Sequence, residues 1–317
     1  MVGMDDVASA MLQTLNDGFP AVERMTAADA RAAVAARRQP VVDPDAVAQI
    51  VDREIDGRGG AITVRIYRPH RGEGAAVVFC HGGGFVLCDI DSHDGFCRAM
   101  AARTSAVVIS VGYRLAPEHP APAAAEDAFS AFCWVVEHAA ELGVDPRRVA
   151  IAGDSAGGNL AAVTALLCRM RGGPTPAAQV LLYPVIDPSF DTESYHRRAT
   201  GYVNTRAAMR WYWRQYLGGT ALPEPSHLVA PARAESHADL PSAVIVTAEL
   251  DPLHSEGVAY ARQLRSAGVP VLHRDFRGLF HGFLTMMPFP PAVAARELLW
   301  TDLRELLVIP PLMEPAR

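Results

Sequence analysis

The sequence predicts an α/β protein, a mostly parallel central sheet flanked by helices on both sides. Three observations carry this. The runs at residues 75–80 and 106–111 are continuously apolar, the mark of strands buried on both faces. Helical segments at 97–103, 123–142 and 159–171 separate the later runs, and buried runs alternating with helices imply βαβ units. Residues 180–183 and 243–247 continue the series, and 269–274 is expected to end it.

In chain order, residues 1–50 are expected to be two or three short helices. Apolar residues there recur at three- and four-residue spacing, and Pro40 and Pro44 close the part. Residues 55–67 alternate around Gly57, Gly59 and Gly60, which reads as an antiparallel hairpin with one wet face. The core is expected to span residues 51–185 and 241–317, with its buried runs beginning at residue 75. Between them, residues 186–240 break the pattern with Met209, Trp211, Tyr212, Trp213 and Tyr216 in one helix-like stretch. An aromatic insertion after a strand's carboxyl end is positioned to cover a site there; the alternative is core packing under a long loop.

Composition narrows the function. The 317 residues are 50% hydrophobic and 20% charged, with a net charge of −6. That balance, with no Lys- or Arg-rich run, argues against a nucleic-acid partner. No apolar run reaches the roughly 18 residues of a membrane span. The acidic start Met1-Val2-Gly3-Met4-Asp5-Asp6 has no apolar stretch behind it, so no signal peptide is visible. The 5 cysteines have no framework spacing and read as buried thiols in a reducing compartment, so the expected location is the cytoplasm. No His-rich pair has metal-ligand spacing, so no metal site is expected.

The chain is organised around Gly153-Asp154-Ser155-Ala156-Gly157. G-x-S-x-G arises by accident on the order of 0.1 times in a chain of this length. Here an apolar run precedes it and a helical segment follows, which makes Ser155 the apex of a strand–turn–helix elbow. The Ala156 N–H then lies at the positive end of a helix, where it can face a developing negative charge. A serine hydroxyl needs a base, itself oriented by a carboxylate. Downstream, Asp251 follows the run 243–247 and His281 follows the last strand, in the order serine, acid, histidine. Glu249 is the alternative acid. Upstream, His81-Gly82-Gly83-Gly84-Phe85 directly follows a buried run. Successive glycines let N–H groups turn into a cavity, so Gly83 and Gly84 join Ala156 as candidate oxyanion donors. His81 is expected to orient that loop, Asp154 to anchor the turn, and Glu118 and Asp127 to hold loops.

Together with Tyr113-Arg114-Leu115-Ala116-Pro117-Glu118-His119-Pro120, Asp251-Pro252-Leu253 and His281-Gly282-Phe283, these stretches resemble the hormone-sensitive-lipase-like branch of the α/β-hydrolases, the bacterial family IV carboxylesterases. The resemblance covers residues 60–290. It implies an α/β-hydrolase fold with a helical cap built from residues 1–50 and 186–240. It also implies a serine carboxylesterase acting on short- to medium-chain acyl esters through an acyl-enzyme, without metal or organic cofactor. A homodimer through the edge strand near 269–274 belongs to the same expectation. Phe85, Tyr202, Met209, Trp211 and Trp213 are the expected substrate-binding residues. The sequence departs from the family at Cys88, where glycine is common, and at His254-Ser255, where Arg-Asp is common. An amide hydrolase with the same residues, a ligand-binding protein on an inactive scaffold and a membrane-associated lipase remain as alternatives.

Overall fold

The apolar runs become the middle of an eight-stranded sheet in the computed structural model, which describes residues 6–307 apart from 39, 42, 44 and 45. Pro44 and residues 1–5, read above, lie outside the described residues. The strands are β1 (Gln49–Gly57), β2 (Gly60–Arg68), β3 (Ala76–Cys80), β4 (Val107–Gly112), β5 (Val149–Asp154), β6 (Gln179–Leu182), β7 (Ala243–Leu250) and β8 (Val271–Phe280). Their order across the sheet is β1-β2-β4-β3-β5-β6-β7-β8. β1 and β2 form the antiparallel hairpin, β2 is antiparallel to β4, and every pair from β4 to β8 is parallel.

The helices are α1 (Asp6–Gly18), α2 (Ala27–Ala35), α3 (Asp94–Thr104), α4 (Ala123–Glu137), α5 (Ala139–Leu142), α6 (Ala156–Met170), α7 (Glu193–Arg197), α8 (Arg206–Leu217), α9 (His254–Ser266) and α10 (Val293–Leu306). The segment read as one helix over 123–142 is two. The break falls at His138, whose ring stacks on Trp134 and bonds its carbonyl at 2.9 Å. Strand parity divides the core. Val78, Cys80, Ile109 and Ile151 face α4, α6 and α9, while Val77, Phe79, Val108 and Ala152 face α3 and α10. Side chains alternate along each strand, so a run apolar throughout feeds both layers.

β8 is longer than the expected 269–274. It continues to Phe280 past a register shift opposite Ala248 and Leu250. Its outer half carries His273, Arg274, Asp275 and Arg277. An edge strand with one wet side needs no apolar run, so hydropathy alone misses its length.

Candidate active site

Register aligns the strand ends that carry the site. Cys80 lies opposite Gly153, Asp154 opposite Leu182, and Leu182 opposite Val246. The segments that follow β3, β5, β6, β7 and β8 therefore open on one edge of the sheet, where an open α/β sheet assembles a site.

Ser155 sits between β5 and α6 at φ 55°, ψ −116°. A residue held there stores roughly 1–3 kcal/mol of strain. The surroundings enforce it: the Ser155 N–H donates to the Leu182 carbonyl at 2.8 Å, and its own carbonyl accepts from Asn159 and Val185 at 3.1 Å each. A Cβ on Gly157 would land on the Cys80 carbonyl, so no other residue lets α6 approach β3 this closely. Ser155 Oγ is 2.9 Å from His281 Nε2, and His281 Nδ1 is 2.7 Å from Asp251 Oδ2. Asp251 is 0% exposed and accepts the Leu253 N–H on Oδ1 at 2.9 Å. A carboxylate only accepts, so Nδ1 carries the proton and Nε2 is free to receive one from Ser155. Glu249 accepts the Gly278 N–H at 2.9 Å, and no hydrogen bond joins it to His281.

Two residues that sequence reading passed over hold the histidine. The rings of Tyr183 and His281 meet edge to face, centroids 5.0 Å apart. Buried Arg296 donates to the carbonyls of Leu284, Met286 and Met287, clamping the turn that follows His281. An arginine on a helix carries no sequence signal that its partners will be carbonyls rather than a carboxylate.

The glycine loop after β3 is shaped by its first two members. Gly82 donates its N–H to Asp154 Oδ1 at 2.7 Å. Gly83 takes φ 115° and turns its carbonyl back onto the Leu87 N–H at 2.8 Å. Among the described residues the N–H groups of Gly83, Gly84 and Ala156 have no protein acceptor. Such a set suits an oxyanion. His81 lies beneath the loop, its Nδ1 2.7 Å from the Gly82 carbonyl and its ring stacked on Tyr113, which donates to the His81 carbonyl. Asp127 binds the Arg114 side chain and N–H, and Glu118 binds Arg31.

The expected substrate-binding residues separate. Phe85 stacks on Tyr216 at 3.8 Å and meets Trp213 at 5.8 Å, and with Met209 and Trp211 they share one buried cluster. Tyr202 instead packs against the other cluster, the one that contains Phe283 and Leu284. The α8 residue on the glycine loop is one that sequence reading did not assign to substrate. A Cβ on Gly84 would overlap the ring of Tyr212. Asn159, one turn past Ser155, reaches the Val185 and Val229 carbonyls at 3.0 and 2.8 Å, tying the start of the insertion and a point within it to α6. Its signal is an amide within the otherwise apolar first two turns of α6. The cavities of about 740 Å³ beside β1 and α4, and about 420 Å³ beside Glu249 and Arg277, exclude Ser155.

Known proteins share this arrangement of strands and loops. A family described as alpha/beta hydrolase fold matches residues 77–285. Esterase LipI of Mycobacterium tuberculosis is 44% identical over 259 residues, 80% of each chain. Ethyl acetate hydrolase of Pseudomonas putida is 39% identical over 252 residues, 77% of each. The solved hyperthermophilic esterase of the archaeon Pyrobaculum calidifontis superposes with a TM-score of 0.90 at 37% identity, over 97% of this chain and 100% of that one. The sheet order, the elbow and these matches agree: the chain belongs to the alpha/beta hydrolase fold family and is a carboxylic ester hydrolase of its hormone-sensitive-lipase-like branch.

Proposed function

We propose that Ser155 is the nucleophile, His281 the base and Asp251 the residue that orients it, and that the enzyme hydrolyses short- to medium-chain acyl esters. The observation that carries this is the unbroken chain of bonds from Ser155 Oγ to His281 (2.9 Å) and on to Asp251 (2.7 Å). Ser155 attacks the ester carbonyl as His281 takes its proton, and Asp251 stabilises the imidazolium that forms. Gly83, Gly84 and Ala156 N–H groups receive the oxyanion, each contributing roughly 10²–10³ in rate. His281 returns the proton to the departing alcohol. Water then repeats the sequence on the acyl-enzyme.

Residues 6–38 and 186–240 act as the cap, with Phe85, Met209, Trp211 and Trp213 narrowing the acyl side. The bulky ring of Tyr212 against Gly84 supports a short acyl chain, and the relative named for ethyl acetate acts on such an ester. Rates with p-nitrophenyl esters from acetate to palmitate test the reading. A maximum at short chains, lost in Ser155→Ala, is expected; a maximum at palmitate would overturn the acyl range.

Two further readings belong here. The free edge of β8, with Leu272 38% exposed, supports pairing with a second copy, and sedimentation showing only monomer at micromolar concentration would exclude it. Five unpaired cysteines support a reducing compartment, to be checked by cell fractionation. No described helix is long and apolar enough to cross a membrane.

A further inference from the structure

Behind the glycine loop lies a second aspartate–histidine pair, outside the triad. His93, in the short turn that leads into α3, is 7% exposed and Asp154 is 4% exposed. His93 Nε2 stands 3.1 Å from Asp154 Oδ1, the same oxygen that accepts the Gly82 N–H at 2.7 Å. His93 Nδ1 stands 3.0 Å from Ser92 Oγ. That hydroxyl already donates to the Asp89 carbonyl at 2.6 Å and accepts the Asp89 N–H at 2.9 Å. A carboxylate only accepts, so Nε2 carries the proton, and its bond to Asp154 is charge-assisted.

The rest of the site agrees. Burial pushes the Asp154 carboxyl up, yet His93, His81 and the Gly82 N–H together hold it below the ordinary aspartate value. Burial and the neighbouring His93 push His81 down to about 4, which leaves its ring neutral near pH 7. Asp154 precedes Ser155 in the chain, and a Cβ on Gly82 would fall on its other oxygen. One carboxylate thus touches both the nucleophile's turn and the first glycine of the loop.

We propose that His93 is a positioning residue for ester hydrolysis. Through Asp154 it fixes the Gly82 peptide, and with it the direction in which the Gly83 and Gly84 N–H groups point. The inference rests on the reading of those two groups as oxyanion donors. Donors act only when they meet the oxyanion at about 2.7–3.1 Å, and a displacement of about 1 Å is worth on the order of 10² in rate.

The test uses p-nitrophenyl butyrate and a trifluoromethyl ketone that forms a hemiketal with Ser155. His93→Phe keeps the ring contact with Phe79 (centroids 6.1 Å apart) and loses the N–H. It is expected to lower kcat by about 10–100-fold with KM within about 3-fold, and to weaken the ketone by the same factor as kcat. His93→Gln, whose amide reaches where Nε2 stood, recovers most of the loss, and the shorter His93→Asn does not. A folded His93→Phe with kcat within about 2-fold of wild type would overturn the proposal, as would a loss confined to KM. If His93→Phe does not fold, equal rates for the Gln and Asn variants overturn it instead. Failure of the donor reading looks different: His93→Phe would then lower kcat while the affinity for the trifluoromethyl ketone stayed within about 2-fold of wild type.

Discussion

The end of β5 and the segment around α8 both bear on the glycine loop, yet they are held in different ways. At β5 the constraints are backbone sterics and ladder bonds: Gly157 against the Cys80 carbonyl, and Ser155 N–H on Leu182. Around the proposed cap they are side chains that reach to backbone groups far away in the chain. Asn16 of α1 bonds the Gly201 carbonyl and the Val203 N–H at 2.7 and 2.8 Å. Arg31 of α2 donates to the Val86 and Ala116 carbonyls at 2.7 and 2.6 Å and to Glu118 at 2.6 Å. The groups proposed to react are thus set by the sheet, and the segments proposed to cover them by polar tethers. Substitutions in the first region should abolish activity, and those in the second should grade it.

The largest effect tests the first half of that contrast. His281→Ala and Ser155→Ala should each lower kcat by at least about 10³-fold, and the double variant should be little worse than either, because the groups act as a unit. Steady-state kinetics on the purified variants measures this. If His281→Ala keeps more than roughly 3% of activity, the base is another residue.

A middle-sized effect tests the second half. Arg31→Met leaves the Val86 and Ala116 carbonyls without their donor, and an orphaned buried polar group costs roughly 1–3 kcal/mol. Denaturant unfolding should report a loss in that range, with kcat reduced only several-fold. If kcat fell as far as in His281→Ala, the tether would belong to the chemistry and the contrast between the regions would fail.

The same contrast explains what was legible in the sequence. Local sterics leave local marks, so the buried runs, the elbow at Ser155 and the glycine loop can be read from spacing, and with them the sheet. Hydropathy registers burial, and for that reason it under-reads β8, whose outer half is charged. Long-range tethers leave no mark of their partners. Nothing adjacent to Arg296 or His93 says that one will clamp the turn after His281 and the other will face Asp154. Tyr212 is a further case. It stands among four other large residues on α8, and only the crossing of that helix over Gly84 decides which ring meets the loop.

Cys88 offers the smallest and sharpest test. It closes the glycine loop at φ 66°, where the resembling family commonly has glycine. A side chain in the left-handed region costs about 1–2 kcal/mol, while glycine gives back about 0.5–1 kcal/mol through the greater freedom of the unfolded chain. Cys88→Gly should therefore stabilise the protein by up to about 1.5 kcal/mol, read from the shift of the denaturation midpoint. Burial pushes the Cys88 thiol up to about 12, so no thiolate is present near neutrality to take part in turnover. The variant should accordingly keep the wild-type kcat, and wild type should resist iodoacetamide on the timescale of the assay. A drop in kcat with unchanged stability would mean that the side chain, and not only the backbone, helps to aim the loop. Local sterics would then no longer account for the glycine loop by themselves.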